Sequence, residues 1–155
     1  MAGRRSWNRH VEAVPPVPPA GVHHVDLVVS SIERSLPFYR DLLAPLGYHG
    51  ISEVEGERGE TIYYLWGPAA SIGLREAQSP GGVPYDRYSV GLHHLAVEAA
   101  SRAAVDERAG WLRNASAEIE SGPQEYAYSL GYYAVFFYDP DGIKLEIVHV
   151  PRHAA

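Results

Sequence analysis

The spacing of apolar positions along the chain changes from strand-like to helical and back, and it does so twice. His24 to Val29 is a short run rich in β-branched residues, which predicts a strand. Ile32, Leu36, Tyr39, Leu42 and Leu43 then recur at helical spacing. Ser30-Ser31-Ile32-Glu33 ahead of them reads as a Ser-x-x-Glu capping box. Pro37 lies within this stretch and predicts either a kink or a helix that begins around it. Ala44-Pro45-Leu46-Gly47 closes the helix. Tyr48 to Ile51, Thr61 to Trp66 and Ser71 to Ala77 predict three more strands. Glu53 to Glu60 reads as a polar connection, and Gly67-Pro68 as a turn.

After a loop rich in glycine and proline, Ser79 to Tyr85, the order starts again. His94 to Val97 predicts a strand. Ser101 to Ala115 predicts a helix, with Ser101 as N-cap and Ala104, Val105, Ala109 and Leu112 on one face. Ala117 to Ser121, Tyr132 to Tyr138 and Ile143 to Val150 predict three strands, the last two joined as a hairpin by Asp139-Pro140-Asp141-Gly142. The pattern is α+β: two βαβββ modules, about residues 22–77 and 91–150, within a single domain over 21–155. Neither module is large enough to make a good core alone. Pairing them buries one face of each sheet and builds a shared concave mixed sheet. Residues 1–20 read as a proline-rich arm, because Pro15-Pro16-Val17-Pro18-Pro19 favours extended geometry over helix.

Composition narrows the partners. At 155 residues the chain has the size of one domain. It contains no apolar run of 18 residues, which speaks against a membrane span. A formal charge of −6, with no Lys/Arg cluster in the body of the chain, speaks against nucleic acid. Cysteine is absent, which removes disulfides and thiolate zinc sites and fits a reducing cytoplasm. Eleven tyrosines and three tryptophans suggest pockets or interfaces that use an aromatic body with a polar tip.

The candidate chemistry lies in the repeat. His23-His24 opens the first strand of one module and His93-His94 that of the other, and Glu146 stands inside the last strand. An ionisable residue within an aliphatic strand is costly to bury without a partner. Two imidazoles and a carboxylate meet that need by holding a divalent metal. The competing reading of Glu146 is a simple pair with Lys144, two residues away on the same face. His23 and His93, one residue earlier, are expected to point to the opposite face. His10, His49, His149 and His153 have no such context.

Across residues 22–150 the chain resembles the vicinal oxygen chelate superfamily, which contains glyoxalase I, bleomycin-resistance proteins, fosfomycin-resistance proteins and extradiol dioxygenases. The resemblance is carried by His24-Val25-Asp26-Leu27-Val28-Val29, Ser35-Leu36-Pro37-Phe38-Tyr39 and Leu46-Gly47. In the second half it is carried by His94-Leu95-Ala96-Val97 and by Tyr138-Asp139-Pro140-Asp141-Gly142-Ile143-Lys144-Leu145-Glu146. The resemblance implies one divalent metal (Fe, Mn, Ni or Zn) on His24, His94 and Glu146, with Glu146 also the catalytic position. A fourth ligand position falls near Gly73 to Glu76. One alignment puts Gly73 there, and a register slip offers Leu74 or Glu76. Tyr64, Trp66, Arg75 and Tyr133 are expected substrate contacts, and Tyr126 and Tyr128 are expected in a loop able to cover the site. The implied function is a metal-dependent enzyme (lyase, dioxygenase or resistance-type transferase) on a small oxygenated substrate. The alternative is a metal-free protein of the bleomycin-resistance type that sequesters a drug or metabolite. A homodimer is implied in either case.

Overall fold

The computed structural model describes residues 20–79 and 84–152. The proline-rich arm, His10, His153 and most of the Gly-Pro loop lie outside the described residues. The first module runs β1 (His24–Val29), α1 (Ile32–Leu43), β2 (Ile51–Glu55), β3 (Thr61–Leu65) and β4 (Ser71–Glu76). The second runs β5 (Leu95–Glu98), α2 (Arg102–Asn114), β6 (Ile119–Glu125), β7 (Tyr133–Tyr138) and β8 (Lys144–His149). Each module forms its own four-stranded mixed sheet, in the orders β1-β4-β3-β2 and β5-β8-β7-β6. In both, the first strand pairs in parallel with the last and the remaining pairs are antiparallel. Among the described residues, no helix is long and apolar enough to cross a membrane.

Alternation along each strand sorts side chains between a helix face and an open face. Leu27 and Val29 of β1, Ile72 and Leu74 of β4, Val135 and Phe137 of β7, and Leu145 and Ile147 of β8 face the helices. They form one core with Tyr39, Leu42 and Leu43 of α1 and Val105, Ala109 and Leu112 of α2. The two modules therefore share a core, as the small size of each requires.

Polar contacts lock that joint. The Asp139 carboxylate is buried and accepts hydrogen bonds from the Tyr39 hydroxyl (2.8 Å) and from the backbone N–H groups of Asp141 and Ile143 (2.8 Å each). Asp141, in the same turn, accepts from the Ser30 N–H (2.9 Å) and from Arg34 Nη2 (2.8 Å). Buried Arg108 of α2 donates to the carbonyls of Asp41 (3.1 Å) and Leu42 (3.3 Å) at the end of α1. Those carbonyls are among the last of the helix, where a cation is favoured.

Four local expectations change. The N-cap of α1 is Ser31, whose hydroxyl accepts from Arg34 N–H, and Ser30 is diverted to Asp141. The helix runs through Pro37 instead of starting at it. Strand β2 falls at Ile51–Glu55, not Tyr48–Ile51, because Gly47 (φ 95°) and Gly50 (φ 81°) are in the left-handed region and hold the preceding segment in a turn. Its mostly exposed polar residues are those of a sheet edge, and pairing with β3 makes them a strand. The ends of β6 also move, to Ile119–Glu125. Irregular register lets that edge strand carry Gly122 and Pro123.

Replacing Tyr39 by Phe removes one of three hydrogen bonds to a buried carboxylate and should lower unfolding stability by about 1–3 kcal/mol. Chemical denaturation checks this, and an unchanged midpoint would contradict the role given to the joint.

Candidate metal centre

The strand registers fix which side chains share the open face of the first sheet. Asp26 stands opposite Gly73, Tyr64 opposite Gly73, and Ile62 opposite Arg75. His24, Asp26, Gly73, Arg75 and Tyr64 therefore lie on one face, with Trp66 just beyond β3. Arg75 is held from three sides: Nη2 donates to Asp26 Oδ2 (2.8 Å), and Nη1 to Glu60 Oε1 (2.9 Å) and Glu57 Oε2 (3.2 Å). The Tyr64 hydroxyl donates to Asp26 Oδ2 (3.3 Å), and its ring meets His24 edge to face, 5.5 Å between centroids. Trp66 Nε1 donates to Ser52 Oγ (3.0 Å).

On the open face of the second sheet, Glu146 stands opposite Ala96 and Phe136 and is 1% exposed. Its Oε2 lies 3.3 Å from His94 Nε2, and its Oε1 accepts from the Tyr132 hydroxyl. Burial first, then the Glu146 carboxylate, pushes the Tyr132 phenol well up, so it stays a donor at neutral pH. Lys144 does not pair with Glu146. Its Nζ donates to Glu120 Oε1 (2.7 Å). Hydrogen bonds from Lys144, Tyr138 and Arg87 hold the Glu120 carboxyl down at about 2.

Each double histidine is closed by a contact between Nδ1 atoms, 2.9 Å for His23–His24 and 2.8 Å for His93–His94. The expectation that His23 and His93 turn to the opposite face is corrected here, because each pair meets edge to face. His23 precedes β1, whose first residue His24 pairs with Ser71, and His93 and His94 precede β5, so the pleat does not fix the direction of His23 or His93. The contact occupies Nδ1 of His24 and His94 and leaves Nε2 as the available ligand atom.

Two further expectations are corrected. Tyr133 faces α2, where its hydroxyl donates to Asp106 (2.6 Å), and its neighbour Tyr132 takes the place by Glu146. Glu76 turns to the N-terminus of α1 and accepts from Ile32 N–H (2.9 Å), which removes it from the open face. Tyr126 and Tyr128 do approach the second half: they stack at 5.6 Å, Tyr128 meets Tyr132 edge to face at 5.2 Å, and Tyr126 meets Phe136 at 5.2 Å.

The donors fit a divalent ion in one half. Ligands about 2.1 Å from a tetrahedral ion stand roughly 3.3–3.4 Å apart, and His94 Nε2 and Glu146 Oε2 are 3.3 Å apart. His24 is not with them. Among the described residues, no three His, Asp or Glu side chains converge as a metal site within the chain.

Glu120 supplies a pH test of this neighbourhood. Its folded pKa is depressed, so its stabilisation is complete above the unfolded value of about 4.3 and is lost as pH falls through about 2. Glu120→Gln should be less stable than the parent at pH 6, with the difference shrinking below about pH 4.3. Denaturant titrations across that range check it, and a difference independent of pH would contradict the pairing.

Comparison with known proteins places this geometry. The family model of the glyoxalase/bleomycin resistance protein/dioxygenase superfamily matches residues 21–147. The protein YqjT of Bacillus subtilis (strain 168) is 32% identical over 136 residues, covering 82% of this chain and 97% of YqjT. A glyoxylase/bleomycin resistance protein/dioxygenase domain from Frankia sp. EAN1pec superposes with a TM-score of 0.72 at 25% identity, covering 88% of this chain and 96% of that one. Lactoylglutathione lyase from Agrobacterium tumefaciens shares the fold at a TM-score of 0.58 and 20% identity, over 86% of this chain and 96% of that one. With two βαβββ modules, histidines at matching strand starts and this match over nearly the whole described chain, the protein belongs to the glyoxalase/bleomycin resistance protein/dioxygenase superfamily.

Proposed function

We propose that the chain is a metal-dependent enzyme that acts on a small oxygenated substrate, with one divalent ion held by His24, His94 and Glu146. The observation that carries this reading is the buried Glu146 carboxylate, which pairs with no lysine or arginine among the described residues and stands at ligand separation from His94 Nε2. Leaving such a group uncompensated is costly. Lys144, the nearest candidate on the strand, is committed to Glu120. When bound, the metal supplies Lewis acidity toward two neighbouring oxygens of the substrate.

The remaining roles belong to the chain. Tyr132 holds one oxygen of Glu146 and leaves the other turned to His94. Nδ1 contacts orient both imidazoles. Arg75 is engaged by Asp26, Glu57 and Glu60, and Tyr64 and Trp66 form an aromatic wall beside His24.

The third ligand comes, in this reading, from a second copy of the chain: His24 of one copy completes the His94–Glu146 half of the other. Exposed Val28, Val54 and Trp66 on the same open face as His24 support it, since they leave apolar surface open to a partner. Dimers and small-molecule substrates are common in the superfamily.

A second reading has one observation in its favour. The stacked Tyr126 and Tyr128 suit a planar ligand, as a metal-free sequestering protein of the bleomycin-resistance type would need.

One experiment separates these. The purified protein should hold one divalent ion per chain, lost in His24→Ala, His94→Ala and Glu146→Gln. Refolding an equal mixture of His24→Ala and Glu146→Gln chains should restore about a quarter of the parental metal, because each mixed dimer regains one intact site. No restoration would contradict the shared site. Absence of stoichiometric metal in the parent, with Fe, Mn, Ni and Zn each supplied, would favour the sequestering reading.

A further inference from the structure

The linker that joins the modules does more than connect them. Between Tyr85 and Leu92 it forms a strap across one end of the second sheet, where β5 and β8 begin and β7 ends. The Tyr85 hydroxyl closes the strap on the Leu92 carbonyl. Arg87 anchors it, with Nη1 donating to Glu120 Oε2 of β6 (2.8 Å) and to the Tyr138 hydroxyl of β7 (2.6 Å).

The tip of the strap carries Tyr88, whose side chain is placed with unusual care for a surface group. Asp86 fixes the turn: Oδ1 accepts from the Tyr88 N–H (2.9 Å) and Oδ2 from the Ser89 hydroxyl (2.9 Å). The Arg87 guanidinium lies over the Tyr88 ring at 5.0 Å, and its Nη2 donates to the Tyr88 hydroxyl (3.2 Å). The ring then meets His93 edge to face at 5.3 Å. Tyr88 is 77% exposed, so burial does not hold it there. The turn, the guanidinium and the imidazole do.

His93 passes this restraint on. Its Nδ1 lies 2.8 Å from His94 Nδ1, and one proton serves that contact. An ion on His94 Nε2 uses the lone pair there, which puts the proton on His94 Nδ1 and makes His93 Nδ1 the acceptor. The first module supports its imidazole differently. The Tyr64 ring stands 5.5 Å from His24, whereas Phe136, on the matching rung of the second sheet, stands 6.4 Å from His94.

We propose that Tyr88 and Arg87 are positioning residues for His94. They hold His93 so that its Nδ1 accepts from His94 Nδ1–H and leaves His94 Nε2 free to bind. The consequence for the ion rests on the metal-centre reading above, and the orientation of the imidazole does not. Glu120 and Tyr138 act one step further back, by anchoring Arg87.

The test has a metal-free arm and a metal arm, both on the full-length protein. In the chelator-stripped protein at about pH 8, where imidazole is neutral, ¹⁵N NMR of the ring nitrogens should show the His94 proton on Nδ1. Tyr88→Ala should move the His94 signals toward the Nε2–H form, and Tyr88→Phe, which keeps the ring edge against His93, should leave them in place. Titrated with Co²⁺ and read by calorimetry and visible absorption, Tyr88→Ala should bind about tenfold more weakly with an altered band, at unchanged oligomeric state. His93→Phe, which removes the acceptor, should lose at least as much, and Tyr88→Phe should match the parent. Parental His94 signals in Tyr88→Ala overturn the proposal, as does a parent whose His94 carries its proton on Nε2. A loss of affinity that comes with dissociation of the oligomer assigns Tyr88 to the interface and overturns it too. A parent that takes up no Co²⁺ overturns the metal-centre reading, and the metal-free signals then decide this proposal alone.

Discussion

The buried carboxylate of Asp139 is the contact on which the arrangement of the chain depends. It closes the hairpin turn between β7 and β8 through two backbone N–H groups, and it takes the hydroxyl of Tyr39 from the other module. Burial pushes both the Asp139 carboxyl and the Tyr39 phenol up. Because the turn is fixed, the start of β8 is fixed, and the offset to Glu146 follows. Asp141 in the same turn ties the end of β1 to the second module. One short segment therefore sets both the shared core and the position of the buried acid.

That joint uses the helix faces of the two sheets, which leaves each histidine on a face turned away from the core. Among the described residues, a single chain brings together His94 and Glu146, at 3.3 Å, with no third His, Asp or Glu ligand. In the proposed account a second copy of the chain covers the apolar surface of the first module's open face and brings His24 to the other half. In this account, dimer formation is what completes the centre, and metal binding and association are linked.

Much of this was legible in the residues. Helix and strand periods gave the two modules, since most elements have a clear apolar face. The double histidines and Glu146 stood out because ionisable groups in apolar strands demand a partner. The misses share a cause, which is that neighbours and not local pattern decided them. β2 is polar and becomes a strand by pairing with β3. Tyr132 and Tyr133 differ by one residue, and only the register with β8 says which faces Glu146. Glu76 was a candidate through a register slip at the position the resemblance implied, and the N-terminus of α1 claims it.

The most direct test of the account is a crystal structure of the protein loaded with Mn²⁺ or Co²⁺, with the ion located by its anomalous scattering. The account predicts a dimer with one peak per chain, lying between His24 of one copy and His94 and Glu146 of the other. A peak elsewhere, or a dimer that keeps His24 remote from that pair, would contradict it.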